Sequence, residues 1–240
     1  YYNYIDECEY MLKILDKLYT GVIYDTLRDM GVTNCVINHT IKPVFPVKKL
    51  YGRIWTCEGI YSEDVSMDES LSSWSKMLSN APSDHVVICS SNNTTNDQIY
   101  FPEVSHMGEL SAEVLKNKNV KGFVTDGGTR DVEFLEKINL PIFCTYATPK
   151  DIVGNWKIIN QGEKITINSA SLNSVNPVPV EINTGDIFIY DSDGIVIIPS
   201  KLFQEVTNLA LNKTTKETNM RESILNGMDP HEAYKKYGIF

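Results

Sequence analysis

The chain has 240 residues, 42% of them hydrophobic, with 31 acidic against 22 basic side chains and a formal net charge of −9. That is enough apolar material for a full core, and the acidic balance excludes a broad nucleic-acid footprint. No apolar run reaches membrane-spanning length, and the acidic, aromatic start from Tyr1 to Glu9 does not read as a signal peptide.

In chain order, residues 4–18 place Ile5, Cys8, Met11, Leu12, Leu15 and Leu18 on an amphipathic helix. Thr20 caps a second helix that ends at Gly31, on which Asp25 reads as a structural hydrogen-bond partner. Strands are expected at 51–57, 86–89, 120–124, 141–144, 164–167, 178–182, 187–190 and 194–198, interleaved early with helices and later with one another. That order describes a mixed α/β core. Residues 90–107 read as a long polar connection, the kind that forms a lid or stays disordered. His106 within it has no second histidine at metal-ligand spacing and reads as incidental rather than as an acid or base. Asp186, Asp191 and Asp193 belong to strand turns more readily than to a metal cluster. A helix capped near Ser200 carries Leu202, Val206 and Leu209 on one face and a Glu217–Arg221 pair at i,i+4. Asp229-Pro230-His231-Glu232 starts another helix. With no linker, charge block or repeat, the chain reads as one domain over 1–240. Five cysteines, Cys8, Cys35, Cys57, Cys89 and Cys144, are odd in number and lack a C-x-x-C pair, so they read as core residues of a reduced, cytoplasmic protein. Three glycosylation sequons, at Asn38, Asn92 and Asn212, are then chance matches.

The segment around residues 108–135 carries the chemistry. Gly108-Glu109-Leu110-Ser111 opens a helical run with Leu110, Val114 and Leu115 that ends near Asn119, and residues 120–124 form a short buried strand. Thr125 to Gly128 supplies a turn, and Thr129 is placed to cap a helix carrying Val132, Phe134 and Leu135. Arg130 and Asp131 therefore sit at the carboxyl end of a strand, where ligands commonly bind in open α/β sheets. A helix returning antiparallel to that strand brings Glu109 to the same edge. An arginine fork suits a carboxylate, while the adjacent aspartate suits a hard cation such as Mg²⁺, which accepts one or two protein carboxylates and keeps its waters. On this reading Asp131 binds the metal directly and Glu109 binds it through water. A helix-start aspartate beside a surface arginine explains the same spacing equally well.

The segment resembles the family that contains the class II 4-hydroxy-4-methyl-2-oxoglutarate (HMG) aldolases and the RraA-like proteins, whose hallmark is an acidic residue, twenty arbitrary residues and Arg-Asp. Glu109, residues 110–129 and Arg130-Asp131 match it. So do Thr20-Gly21-Val22-Ile23-Tyr24-Asp25-Thr26-Leu27 with Gly31, Gly52-Arg53-Ile54-Trp55-Thr56, Pro141-Ile142-Phe143, Thr148-Pro149, Gly185-Asp186 and the run from Asp191 to Pro199. The likeness covers roughly residues 18–200 and leaves helical extensions at 1–17 and 201–240.

The resemblance implies an α/β/β/α sandwich like that of phosphohistidine swivelling domains, with extra N- and C-terminal helices. It implies a lyase dependent on Mg²⁺ or Mn²⁺ and acting on a small-molecule 2-oxo acid, without nucleic acid or membrane as partner. The reaction is retro-aldol cleavage of a 4-hydroxy-2-oxo acid, oxaloacetate decarboxylation, or both, through a pyruvate enolate. Asp131 would hold the metal, and Arg130 would pair with the substrate carboxylate or the nascent enolate oxygen. Glu109 would order water for proton transfer, while Gly108, Glu109, Leu110 and Ser111 would contact pyruvate's oxygens. The same resemblance implies a homotrimer or hexamer in which Glu217 or Glu222 approaches a neighbouring subunit's site. The family also holds non-catalytic RraA regulators that bind a ribonuclease, the main alternative. A phosphoryl carrier would need a presented histidine, and His106 and His231 lack the glycine-rich turn for it. Tyr146-Ala147 ahead of Thr148-Pro149 departs from the family's usual small residues and reshapes the pocket.

Overall fold

The structure is a computed structural model that describes residues 11–91, 103–167 and 178–239. Of the expected helix at 4–18, residues 4–10 with Cys8 lie outside that range, and within it Lys13–Lys17 forms a 3₁₀ helix that buries Leu15. Two compact units emerge, one of residues 34–200 and one that joins the N-terminal residues up to 33 with 201–239. The helices are α1 (Thr20–Asp29), α2 (Met67–Asn80), α3 (Glu109–Asn117), α4 (Val132–Ile138), α5 (Phe203–Leu225) and α6 (Pro230–Tyr237). The strands are β1 (Lys42–Pro43), β2 (Leu50–Tyr61), β3 (His85–Ser90), β4 (Ser105–Met107), β5 (Gly122–Thr125), β6 (Gly128–Thr129) and β7 (Ile142–Cys144). They continue with β8 (Tyr146–Ala147), β9 (Trp156–Gln161), β10 (Ile165–Ile167), β11 (Val180–Ile182), β12 (Ile187–Asp191) and β13 (Gly194–Ile198).

The 34–200 unit is built on a mixed sheet of order β1-β7-β5-β3-β2-β12-β13, with β9 also paired to β2. Strands β2, β3, β5 and β7 run parallel, and the antiparallel partners β12 and β9 follow one another along β2. A register shift at Glu58/Gly59 lets β2 serve both. Gly59 is required there, because a Cβ would stand 1.9 Å from Trp156 Cζ2. Side-chain alternation along β3 separates two apolar layers. Val87 and Cys89 join Trp74 and Met77 of α2, Ala112 and Leu115 of α3 and Leu135 of α4. Val86 and Ile88 face Ile165, Ile167, Val180 and Ile182 of the β10–β11 hairpin. Helices thus cover one face of the sheet and a hairpin covers the other, a mixed α/β architecture of the expected kind.

All eight expected strands form. The sequence reading missed α2, β1, β9 and the short strands β4, β6 and β8, and of the expected 90–107 connection the residues 105–107 are strand rather than loop. Helix α2 begins with a reciprocal cap: Ser66 Oγ accepts from the Glu69 amide at 3.2 Å, and Glu69 Oε2 accepts from the Ser66 amide at 3.0 Å. Asp186 clamps the turn between β11 and β12, accepting from the amides of Asn183 (2.9 Å) and Ser200 (2.8 Å), and Asp191 accepts from the Asp193 amide; both agree with turn roles.

In the other unit α1 packs against α5, and Lys213 reaches Asp29 at 2.5 Å. Asp25 pairs with Arg28 at 2.7 Å, a structural role. Three details correct the sequence reading. Thr20 does not cap α1 but is its first residue, and the N-cap position falls on Tyr19, which makes no side-chain cap bond. Helix α5 follows a 3₁₀ turn at Ser200–Leu202 and has no side-chain cap. Glu217 is taken by the Tyr19 hydroxyl and forms no ion pair with Arg221. The α6 start behaves as expected, with Asp229 Oδ1 accepting from the amides of His231 (2.9 Å) and Glu232 (3.1 Å).

Candidate active site

Strands β4, β6 and β8 form a small parallel sheet, and the segments leaving their carboxyl ends build the site. Gly108-Glu109 leaves β4, Arg130-Asp131 leaves β6, and the turn from Thr148 to Asp151 leaves β8. Hydrogen bonds lock the three exits: Arg130 N donates to Met107 O (2.9 Å), Thr148 N to Thr129 O (2.9 Å) and Ser105 N to Lys150 O (2.7 Å). Thr129 does not cap a helix as expected. It lies in β6, and its hydroxyl donates to Met107 O at 2.9 Å.

Asp131 occupies the N-cap position of α4 in a left-handed conformation, φ 59° and ψ 34°; its carbonyl accepts from the amides of Phe134 (2.9 Å) and Leu135 (3.1 Å), but its side chain makes no cap bond to the helix. That conformation costs a non-glycine residue roughly 1 kcal/mol, a cost that persists mainly at functional positions. Its effect is to turn the carboxylate towards α3. Oδ2 accepts from the Glu109 amide at 3.0 Å and lies 3.7 Å from Arg130 Nε. Gly108 is the enabling neighbour, since a Cβ there would stand 2.7 Å from Asp131 Oδ2 and 3.2 Å from Arg130 Nε.

Arg130, Asp131 and the backbone of Glu109 therefore meet, across 22 residues of sequence. Asp131 Oδ1 and the Glu109 carboxylate carry no hydrogen bond from the described residues. The amides of Leu110 and Ser111, in the first turn of the nine-residue α3, have no acceptor within the helix and suit an anion. The Leu110 side chain is 79% exposed, so its part in the site is its backbone. Ser111 Oγ accepts from Trp74 Nε1 at 2.9 Å, which leaves its own proton to donate.

Sequence reasoning missed Asp151. Its Oδ2 lies 3.2 Å from Arg130 Nη1, and its Oδ1 accepts from the Val153 amide at 3.1 Å. An Asp151-x-x-Gly154 turn signal was available, but its partner is set by strand order. Asp131 and Asp151 flank one guanidinium, at 3.7 Å and 3.2 Å, an excess of one negative charge before any anionic substrate arrives. A divalent cation is the natural complement. Among the described residues no three His, Cys, Asp or Glu side chains are grouped to hold a metal; Asp131 Oδ1 is a carboxylate oxygen left without a hydrogen bond from the described residues.

His106 is 3% exposed with its ring edge-on to Trp156, centroids 4.6 Å apart, and neither nitrogen has a partner. Burial pushes its pKa down to about 3, so it is neutral and packed behind the site, in keeping with the incidental reading. Tyr146 fills space beside β6: a Cβ on Gly128 would lie 2.4 Å from its Cε2. The four described cysteines are buried, and burial pushes Cys35 and Cys144 up to about 11, which disarms them as nucleophiles.

A family model described as RraA-like, Aldolase/RraA, matches residues 20–197. The chain belongs to the RraA-like family. This RraA-like chain is similar to an uncharacterized protein of Methanocaldococcus jannaschii, 29% identical over 226 residues that cover 91% of this chain and 96% of that one. It is 24% identical over 204 residues (85% of this chain, 84% of the other) to a Halalkalibacterium halodurans protein provisionally named as a 4-hydroxy-4-methyl-2-oxoglutarate aldolase. A solved Streptomyces coelicolor structure, described as an unusual member of the RNase ES inhibitor RraA protein family, superposes with a TM-score of 0.69 at 20% identity, covering 88% of this chain and 96% of that one. That likeness shows the RraA fold. Among the described residues, no helix is long and apolar enough to cross a membrane.

Proposed function

We propose that this RraA-like protein is a divalent-metal-dependent carbon–carbon lyase acting on a 2-oxo acid. It performs retro-aldol cleavage of a 4-hydroxy-2-oxo acid, oxaloacetate decarboxylation, or both, through a pyruvate enolate. The observation that supports this most is the convergence of Arg130, the left-handed Asp131 and the first turn of α3 at the exits of three parallel strands. Asp131 Oδ1, with Glu109 through water, would hold Mg²⁺ or Mn²⁺. The ion supplies Lewis-acid stabilisation of the charge that develops on the substrate's keto oxygen.

Arg130 Nη2 faces the substrate and donates to its carboxylate, a charge-assisted bond that also fixes orientation. The amides of Leu110 and Ser111 donate to the pyruvyl oxygens. Being preformed, they need no reorganisation as negative charge grows there in the transition state. Glu109 accepts the proton of the 4-hydroxyl through an ordered water as the carbon–carbon bond breaks, and returns a proton to the enolate carbon. Decarboxylation uses the same carboxylate grip and enolate stabilisation without the hydroxyl proton. No lysine Schiff base enters.

The protein works as a homotrimer or a pair of trimers in the cytoplasm. With Tyr19 holding Glu217, Glu222 is the better candidate to approach a neighbouring subunit's site. The test is metal-dependent pyruvate release from oxaloacetate and from 4-hydroxy-4-methyl-2-oxoglutarate, with Asp131→Ala alongside. The wild type should release pyruvate with Mg²⁺ or Mn²⁺, and the variant should lose about a hundredfold or more in kcat/KM. No release from either substrate, or an unimpaired variant, replaces this reading with the ribonuclease-binding regulator.

A further inference from the structure

The geometry points to Asp151 as a positioning residue that sets the direction of the Arg130 guanidinium, an inference that rests on the lyase reading for its consequence but not for its geometry. A free arginine side chain samples many rotamers, and ordering it within a site normally costs free energy each time a ligand binds. Here that order exists beforehand. Asp151 Oδ2 receives Nη1 at 3.2 Å, Asp131 Oδ2 lies 3.7 Å from Nε, and Nη2 makes no hydrogen bond to a described residue. Asp151 thus takes one amino group of the planar fork, Asp131 lies as an ion-pair neighbour of Nε, and the other amino group is left for an incoming anion.

Asp151 is itself fixed. Its Oδ1 accepts from the Val153 amide at 3.1 Å, residue 151 bridges to Ser105, and the neighbouring Lys150 carbonyl accepts from the Ser105 amide at 2.7 Å. The β8 exit is therefore tied to β4, the strand that delivers Glu109. The carboxylate also offsets much of the guanidinium's charge in the ground state. Removing it frees Arg130 to pair with a substrate carboxylate more strongly but in less defined geometry. Ground-state affinity should then hold or rise while the transition state loses its aligned donor.

Asp151→Asn is the discriminating variant. Its amide oxygen can still accept from Val153 N, which preserves the turn, while its NH₂ faces the guanidinium as a second donor. In steady-state pyruvate release, kcat should fall about tenfold or more with KM unchanged or lowered, and Asp151→Glu should recover part of kcat. The direct readout is the ¹⁵N–¹H spectrum of the arginine side chains, assigned with Arg130→Lys. Asp151 should slow rotation about the Arg130 Nε–Cζ bond and keep its Nη signals separate in the wild type, and Asp151→Asn should merge them. Nη signals unchanged in Asp151→Asn overturn the inference, as does a kcat within about twofold of wild type. So does a loss of kcat accompanied by a lowered unfolding temperature, which would mark a merely structural role. If the wild type itself releases no pyruvate, the lyase reading fails, and the Nη spectrum decides the role of Asp151 alone.

Discussion

The buried His106 makes stability fall with acidity by an amount that can be isolated. In the folded protein burial holds its pKa near 3, against about 6.5 in the unfolded chain. Between those values the unfolded state binds a proton that the folded state refuses, so stability rises with pH across the window and is fully present above about 6.5. From pH 7 to pH 4 this single group should remove ~3 kcal/mol, taking 1.36 kcal/mol per pH unit across the part of the window traversed. Carboxyls such as Glu69, held down to about 2 chiefly by its hydrogen bond to Lys157, add acid-side loss of the same sign, so the wild-type slope alone is not diagnostic. His106→Phe keeps an aromatic ring against Trp156 and has nothing to titrate, while every other group remains. Urea unfolding at pH 7, 5.5 and 4 should give a wild-type curve that loses ~3 kcal/mol more than the variant's over that range. Parallel curves, differing by less than about 1 kcal/mol, would show that the imidazole is hydrated or partnered in solution and would refute the reasoning.

Two further outcomes are expected. Gly59→Ala puts a methyl 1.9 Å from Trp156 Cζ2 at the point where β2 changes partner, and should cost about 1–3 kcal/mol or more, read as a lowered denaturant midpoint. Leu110, Val114, Val132 and Phe134 are exposed around the site at 79%, 40%, 38% and 47%. In light scattering after gel filtration the 27.1 kDa chain should run at three or six times its mass, and Phe134→Glu should shift it towards the monomer; a monomeric wild type sinks the oligomer reading.

What the sequence disclosed and what it hid divide along a physical line. Strands that are continuous apolar, β-branched runs, such as 86–89 and 194–198, were legible because strands buried on both faces are written residue by residue. Helix α2 was equally available, since Ser66-x-x-Glu69 is a capping-box signal ahead of Trp74, Met77 and Leu78. The two-residue strands β6 and β8 left no such trace, because two residues carry no period, and their hydrogen bonds go to segments roughly twenty residues away. Yet those strands decide the site. The spacing of Glu109 from Arg130-Asp131 has chemical meaning only because β4 and β6 run side by side and end together, and Asp151 joins them because β8 ends there too. The same cause explains the misplaced cap. Thr129 is a favourable N-cap by side-chain preference, but its hydroxyl donates to Met107 O in the small sheet, and the cap position passes to Asp131, a capping residue at least as good, in a left-handed turn that keeps its carboxylate off its own helix. A residue at a capping position that does not cap has been diverted, and here the diversion delivers the carboxylate to the amide of Glu109, beside the guanidinium of Arg130.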